Sequence, residues 1–457
     1  MSGYLFCLIF YLALVDKVIK SAASIVGKSL EFAKIVVAGV SDVLDTVVNP
    51  FIGLTTKYLR AKFFEEEFSP LQVQEIILGN ALVYKQKNGV YKLSEVPDTF
   101  VFVSVIARIQ QMLLNHDLAK IITSKIPTLG KTDRYYDVFD GTYFKSSESA
   151  SPFLYVIIFQ DAVEICNPLG NRSGKHKVVN FYWTLLNIPP KYWSKLASMT
   201  LFAMVKKKIL DKYSFQDVLS PFFKEMEQFK NGVDFLIDGK LQKCFGKVLL
   251  CPGDTEGQHQ IGGFKVGVGF AYRKCRFCYA LEADVRNNVD PGCVNQRTSS
   301  VYMQEFDAIE NAPNERIKGQ LQTTYGLNSR SCLGKLCNFD VTKQFSHDIM
   351  HVVLEGVLPY ECQLALSVLM DQGLFTLDEF NHKLSIFPFT YSDAKSKPEP
   401  LKRTVFVMGE RKLKFSAENS IIIIKILPFI LENFVDTDDV FYQFLMELSS
   451  ITSILLL

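Results

Sequence analysis

The sequence predicts an α/β protein, and three observations carry that expectation. Apolar, β-rich runs bounded by Gly, Asn and Pro occur at Phe153–Gln160 (FLYVIIFQ), Val178–Leu186 (VVNFYWTLL) and Lys247–Cys251 (KVLLC). Helical patterns at Trp193–Lys208 and Phe215–Phe229 separate the second run from the third, so strands and helices share one unit. Helical spacing also dominates both ends of the 457-residue chain.

Taken in order, residues 1–130 read as a helical N-terminal region. The apolar run Tyr4–Val15 is shorter than the ~20 residues of a membrane span and lacks a basic leader, so it reads as a buried helix, with a signal peptide as the alternative. Val18, Ile19, Ala22, Ala23, Val26 and Leu30 recur at helical spacing, and Phe100–Leu114 is a second apolar stretch of helix length. Between them, Phe63–Phe68 (FFEEEF) reads as a solvated helix face. Residues 131–284 hold the three strand signals and form the expected core. Residues 285–345 are rich in Asn, Ser and Arg with weak periodicity, as in a loop-rich insertion. Residues 346–457 return to helical patterns. No internal repeat or low-complexity tract interrupts this order.

A composition of 48% hydrophobic and 13% aromatic residues can bury a large core, and at ~100–200 residues per domain the length suggests two to four domains. With 50 basic and 48 acidic residues, no global field draws the chain to nucleic acid, so any such contact needs local patches. Ten cysteines spread along the whole length lack the density of a disulfide framework, which favours a reducing compartment with free thiols and metal ligands.

Two aspartates follow strand signals. Asp161 comes directly after the first run, and Asp254 follows the third after Pro252 and Gly253. Both are expected at or just beyond the carboxyl ends of strands, where α/β sheets place functional groups. Two such carboxylates can hold divalent ions that activate a water or hydroxyl for phosphoryl transfer. An aspartate after a strand also serves simply to cap a turn or helix.

The cysteine–histidine pattern is more specific. Cys275-Arg276-Phe277-Cys278 has the two-residue gap that lets both thiolates of a knuckle reach one tetrahedral ion. His347 and His351, at i and i+4, would share one face of a helix. Each half alone also fits free thiols or capping histidines. Together they supply four ligands with no open position, the composition of a structural zinc site. A zinc-protease reading fails because Asp348, not Glu, follows the first histidine, although Glu355 follows on the same face as His351. Cys332 and Cys337 read as free or core thiols.

At these residues a family resemblance emerges. Gln160–Gly170 (QDAVEICNPLG), Gly262–Cys278 and His347–Gly356 (HDIMHVVLEG) resemble animal transposase-domain proteins related to the CACTA (En/Spm-like) DNA transposases, and the similarity runs from roughly Phe51 to the C-terminus. The resemblance implies a ribonuclease-H-like mixed sheet core, interrupted by a zinc-linked, mostly helical insertion, that cuts and joins DNA with Mg²⁺ or Mn²⁺ held by three acids. Asp161 matches the first acid and Asp254 the second. The cysteine pair and the two histidines match the zinc site inserted in this group. The third acid is expected as a Glu in a helix well beyond the histidines, near a pattern resembling Arg-x-Glu-x-Lys-His, and no such pattern occurs before Leu457. Glu355 is the nearest substitute.

Arg273, Lys274 and Arg276 surround the knuckle and are candidates for DNA-backbone contacts, with ordinary solvated charge the competing reading, as it also is for the run Lys206–Lys208. Cys275 and Cys278 follow Asp254 by 21 and 24 residues (275 − 254 and 278 − 254), so zinc would pin the helical insertion near the second acid. The resulting expectation is a nuclear, DNA-binding, transposase-derived protein, a fragment or decayed copy with little activity, self-associating as a homo-oligomer and independent of membranes. The alternative is a domesticated, non-enzymatic DNA- or protein-binding protein that retains the fold and the zinc site.

Overall fold

A computed structural model describes residues 56–68, 71–87, 89–124, 138–141, 144, 152–165, 176–193, 195–287, 292, 294–406 and 412–456. The apolar runs Tyr4–Val15 and Val18–Leu30 and the end of the Gln160–Gly170 segment lie outside these residues. Two units are distinguished, residues 1–70 and 71–457. In the first, helix α1 (Lys57–Phe68) contains the FFEEEF run.

The second unit is built on a seven-stranded mixed sheet in the order β1-β2-β5-β4-β3-β7-β6. Its strands are β1 (Val73–Lys87), β2 (Val90–Val103), β3 (Phe153–Glu164), β4 (Lys177–Leu185), β5 (Thr200–Lys206), β6 (Val233–Ile237) and β7 (Lys240–Leu250). β3 is buried on both faces: Leu154, Val156 and Ile158 enter the main core, while Tyr155 and Ile157 pack with Phe139, Phe144, Leu186 and Leu249 on the other side. That double burial is why Phe153–Gln160 is a continuous apolar run with no alternation. Alternate residues of β4, namely Val179, Phe181, Trp183 and Leu185, join the main core.

Four sequence expectations are corrected. The 1–130 region is not helical throughout, because β1 and β2 form a long antiparallel hairpin from Val73↔Val103 to Lys87↔Val90. The Phe100–Leu114 stretch divides at Ser104: Phe100 and Phe102 are buried on one face of β2, and the Ser104 hydroxyl accepts from Ala107 N (3.0 Å) to start helix α2 (Val105–Leu113). Helix α3 (His116–Thr123) follows. Trp193–Lys208 is not one helix: its second half holds β5, which pairs antiparallel with both β4 and β2, sending Phe202 and Val205 into the core, and only then does helix α4 (Lys207–Lys212) begin. Tertiary pairing overrides the helical pattern there. Helix α5 (Phe215–Asn231) is as expected, capped by Ser214, and packs so closely on β7 that a β-carbon on Gly246 would lie 2.1 Å from the Phe229 ring.

The fourth correction concerns 285–345. After α6 (Thr255–Gly262) and α7 (Glu282–Asn287), this region forms α8 (Ser299–Glu310) and α9 (Glu315–Tyr325), whose caps Thr298 and Asn314 accept from Val301 N and Ile317 N. α8 buries only a narrow face of Tyr302, Phe306 and Ile309, together with Glu305, so its polar surface hides the period. Beyond Phe345 the chain is helical: a π-helical turn at Met350–Val357, then α10 (Leu358–Asp371), α11 (Leu377–Ile386), α12 (Ala417–Leu431) and α13 (Val440–Leu455). These helices share a separate apolar core containing Leu358, Leu366, Leu369, Phe380, Ile423 and Leu427. Among the described residues one helical run, Met350–Asp371, is long and apolar enough to cross a membrane, and 44% of its most apolar window is buried in this core.

Candidate functional site

Strands β3 and β7 run parallel, with Ile157 paired to Leu250. Asp161 and Asp254 each lie four residues further along (161 − 157 = 254 − 250 = 4), at the same end of neighbouring strands. Both are exposed. Their settings differ. Asp161 was expected just after the strand but is still within β3, paired with Asn180 of β4 and three residues short of the strand's end at Glu164. Burial, with Asp161 as a second cause, pushes the nearby Tyr182 hydroxyl above its ordinary range. Asp254 lies beyond β7 and is the N-cap of α6, its Oδ1 accepting from Gly257 N at 2.7 Å. Gln160 joins the two positions, since its Nε2 donates to Gly257 O at 2.9 Å. The capping role that an aspartate after a strand can play is thus filled by Asp254, with Oδ2 left over for a second task.

The cysteine pair and the histidine segment meet beside this edge. Gln258, almost fully buried, donates through Nε2 both to Gly253 O (2.9 Å), next to Asp254, and to Ser346 O (3.0 Å), next to His347. The same Ser346 carbonyl accepts from Arg276 (3.0 Å). The Phe277 ring lies 4.3 Å from that of His347 between centroids, and Phe277 N donates to Cys275 Sγ at 3.3 Å. Three segments distant in sequence therefore converge: the end of β7, the knuckle, and the start of the C-terminal helices. Gly263 closes α6 in a left-handed conformation (φ 73°), and a β-carbon there would fall 1.8 Å from Ser329 O.

His347 and His351 do not share one helix face. His347 precedes the helix, which begins at Ile349, and Asp348 acts at its start: Oδ1 accepts from His351 N (3.1 Å) and Oδ2 pairs with His351 Nδ1 (2.5 Å). The local reason is Asp348 itself, whose short carboxylate competes for the backbone N–H groups that would otherwise continue a helix. Burial, then the Arg276 charge, lowers the His347 imidazole below its ordinary value, favouring the neutral form. Burial raises the Cys278 thiol, and the adjacent Cys275 adds to the effect.

By donor type, two thiols and two imidazoles would suit zinc, and the Asp348–His351 pair engages Nδ1 of His351, so that Nε2 would be the nitrogen to bind a metal. Among the described residues, however, no three or more His, Cys, Asp or Glu side chains are gathered as a metal-holding group. The structure brings the Cys275–Cys278 pair to the His347 segment through Phe277 and Arg276. It does not assemble the four ligands.

The expected DNA-contacting bases are engaged internally. Arg276 is only 6% exposed and spends its guanidinium on Ser346, a position unsuited to a phosphate backbone. Arg273 pairs with Glu305 (3.4 Å), and Lys274 with Glu282 (2.9 Å). Lys207 pairs with Asp211. Glu355 lies in the π-helical turn, where its carboxylate accepts from Ala417 N (3.2 Å) at the start of α12. Cys332 is a core thiol, pushed up to about 12 by burial, and Cys337 is half-buried. The described cysteines Cys244, Cys251, Cys275, Cys278, Cys332, Cys337 and Cys362 are all free.

Sequence reasoning missed Gln160, Gln258 and Arg297, which hold this region together. Long polar side chains buried among distant segments leave no periodic signal. No protein-family model and no curated protein matches the chain.

Proposed function

We propose that this chain is a transposase-derived protein with a ribonuclease-H-like, DNA cutting and strand-transfer fold, in which Asp161 and Asp254 are the acids that hold Mg²⁺ or Mn²⁺. The observation that carries the reading is the pair of aspartates at equal steps beyond Ile157↔Leu250 on adjacent parallel strands. The order β5-β4-β3-β7, with β4 antiparallel to both β3 and β5 and β7 parallel to β3, supports the fold part of it. A divalent ion held by Asp161 and Asp254 would activate a water or the 3′ hydroxyl of a DNA strand and stabilise charge on the leaving oxygen. The protein's own contribution is position: Gln160 ties the Asp161 strand to the first turn of α6, and that turn fixes one oxygen of Asp254.

The proposal extends to Zn²⁺ on Cys275, Cys278, His347 and His351 as a structural site, to DNA as partner, to self-association and to a nuclear location. Its activity is expected to be low, since Glu355 is occupied at the start of α12. The test is an Mg²⁺- or Mn²⁺-dependent nicking and strand-transfer assay on terminal-repeat DNA. Weak metal-dependent nicking that Asp161→Ala abolishes is the expected result. Robust activity retained in Asp161→Ala contradicts it.

A non-enzymatic binding protein is the second reading, favoured by the capping work already done by Asp254 and Glu355. It predicts DNA or protein binding unchanged by alanine at Asp161, with a steep fall of affinity in salt identifying DNA.

A further inference from the structure

Arg297 is a large charged residue with a side chain wholly withdrawn from solvent. Its contacts converge on the knuckle. Nε donates to Cys275 O (2.9 Å), one terminal nitrogen donates to Arg273 O (3.3 Å) and Tyr325 O (2.7 Å), and the other pairs with Glu305 (3.2 Å). Four of the five N–H groups of a guanidinium are thereby used in a single rigid plane. Its backbone acts in the same place: Arg297 N donates to Phe277 O (2.8 Å), Tyr279 N donates to Asn295 O (2.9 Å), and Cys278 forms an antiparallel bridge with Gln296. The Tyr279 ring lies 4.7 Å from the guanidinium. Every residue from Cys275 to Tyr279 except Arg276 is thus fixed, directly or through an adjacent peptide, by Asn295–Arg297.

We propose that Arg297 is the positioning residue of the cysteine knuckle, holding the Cys275–Cys278 backbone in its two-residue turn before any metal arrives. This rests on the zinc reading above. The knuckle is then a part of the fold onto which a metal docks, not a loop that the metal must order. Glu305, on the buried face of α8, is the counter-charge that keeps the guanidinium in place, which gives the 285–345 region a function: it is the platform for the knuckle.

Two measurements on the full chain test this. In the metal-stripped wild type, amide hydrogen exchange is expected to show Arg297 and Tyr279 N–H protected as strongly as neighbouring β-bridge amides; free exchange overturns the proposal without any variant. The second measurement is Co²⁺ titration, read by its thiolate charge-transfer and d–d absorption, with Cys275→Ser as the baseline. Arg297→Lys keeps the charge but cannot span three carbonyls and a carboxylate, and is expected to bind Co²⁺ ~10–100-fold more weakly, the usual cost of losing a support behind a metal ligand. Wild-type affinity in a folded Arg297→Lys chain overturns the proposal while leaving the metal site standing. Absence of any Cys275-dependent Co²⁺ spectrum in the wild type removes the metal reading, and this proposal with it.

Discussion

Asp161 and Asp254 both face solvent, and the bond that Asp254 makes is a helix cap on a single turn. Cys275 and Cys278, only some twenty residues on, sit on backbone held by a buried guanidinium, a two-strand clip and a carbonyl shared with Gln258 and Arg276. The two regions touch through Gln258, yet one is set rigidly by packing and the other is left open at the sheet end. Carboxylates open to solvent keep lone pairs for a ligand, whereas buried polar groups are mostly answered within the protein: the four bonds of Arg297 show this, although Oε1 of Gln258 and Nε of Arg276 are buried without a hydrogen bond. The contrast is between two open carboxylates at a sheet end and a turn braced from within.

The largest effect should come from breaking the clamp. Arg297→Met leaves the buried Glu305 with only its longer contacts to Arg273 and Tyr279 (3.4 Å each) and strands three carbonyls, and is expected to cost ~3–5 kcal/mol in urea unfolding, partly recovered by adding Glu305→Gln. Gly263→Ala comes next. Its β-carbon would meet Ser329 O at a positive φ, so a loss of ~1–3 kcal/mol is expected, read as a lowered unfolding midpoint.

The aspartates sharpen the comparison further. Asp254→Ala removes the α6 cap and is expected to cost ~1 kcal/mol, while Asp254→Asn keeps most of the cap, and Asp161→Ala changes stability by less than ~0.5 kcal/mol. All three substitutions should nevertheless weaken Mn²⁺ binding. Equal stability losses for Asp161→Ala and Asp254→Ala would erase the distinction drawn between them.

The smallest effect is one of pH. His259 is buried beneath the junction, its Nδ1 2.9 Å from Lys265 O, and burial lowers its pKa below the ordinary 6.5, with Arg276 and Arg297 adding to the shift. The unfolded chain therefore takes up a proton near 6.5 that the folded chain refuses. Stability from this group is full above about 6.5 and declines as pH falls below it. His259→Gln should flatten part of that decline between about pH 7 and 5.

The strand signals at Phe153, Val178 and Lys247 were legible because double burial makes a continuous apolar run, and α5 because its period is clean. The hairpin β1–β2 was not, although Asn88-Gly89 is a strong turn signal, because much of it is exposed: Ile77, Leu82, Tyr84 and Leu93 point to solvent and give no buried stripe. β6 carries the same kind of turn signal in Asp238-Gly239, both at positive φ. At the site, the placement of Asp161 and Asp254 after strand signals was readable from order, while their association with the knuckle and His347 was implied by the family resemblance. The helical pairing of His347 with His351 was not, because Asp348 between them caps the helix and leaves His347 outside it. Arg297 was illegible for a simpler reason: an arginine in a polar stretch looks like surface charge until its depth is known.

Whether Asp161 and Asp254 share one divalent ion is the question on which the proposed function turns. Fe²⁺, which occupies Mg²⁺ sites, cuts the backbone near its position when peroxide and ascorbate are added. A shared ion gives paired cleavage around residues 161 and 254, suppressed by excess Mg²⁺ and lost in both Asp161→Asn and Asp254→Asn. Cleavage confined to the knuckle, or cleavage near 254 that persists unchanged in Asp161→Asn, would contradict it.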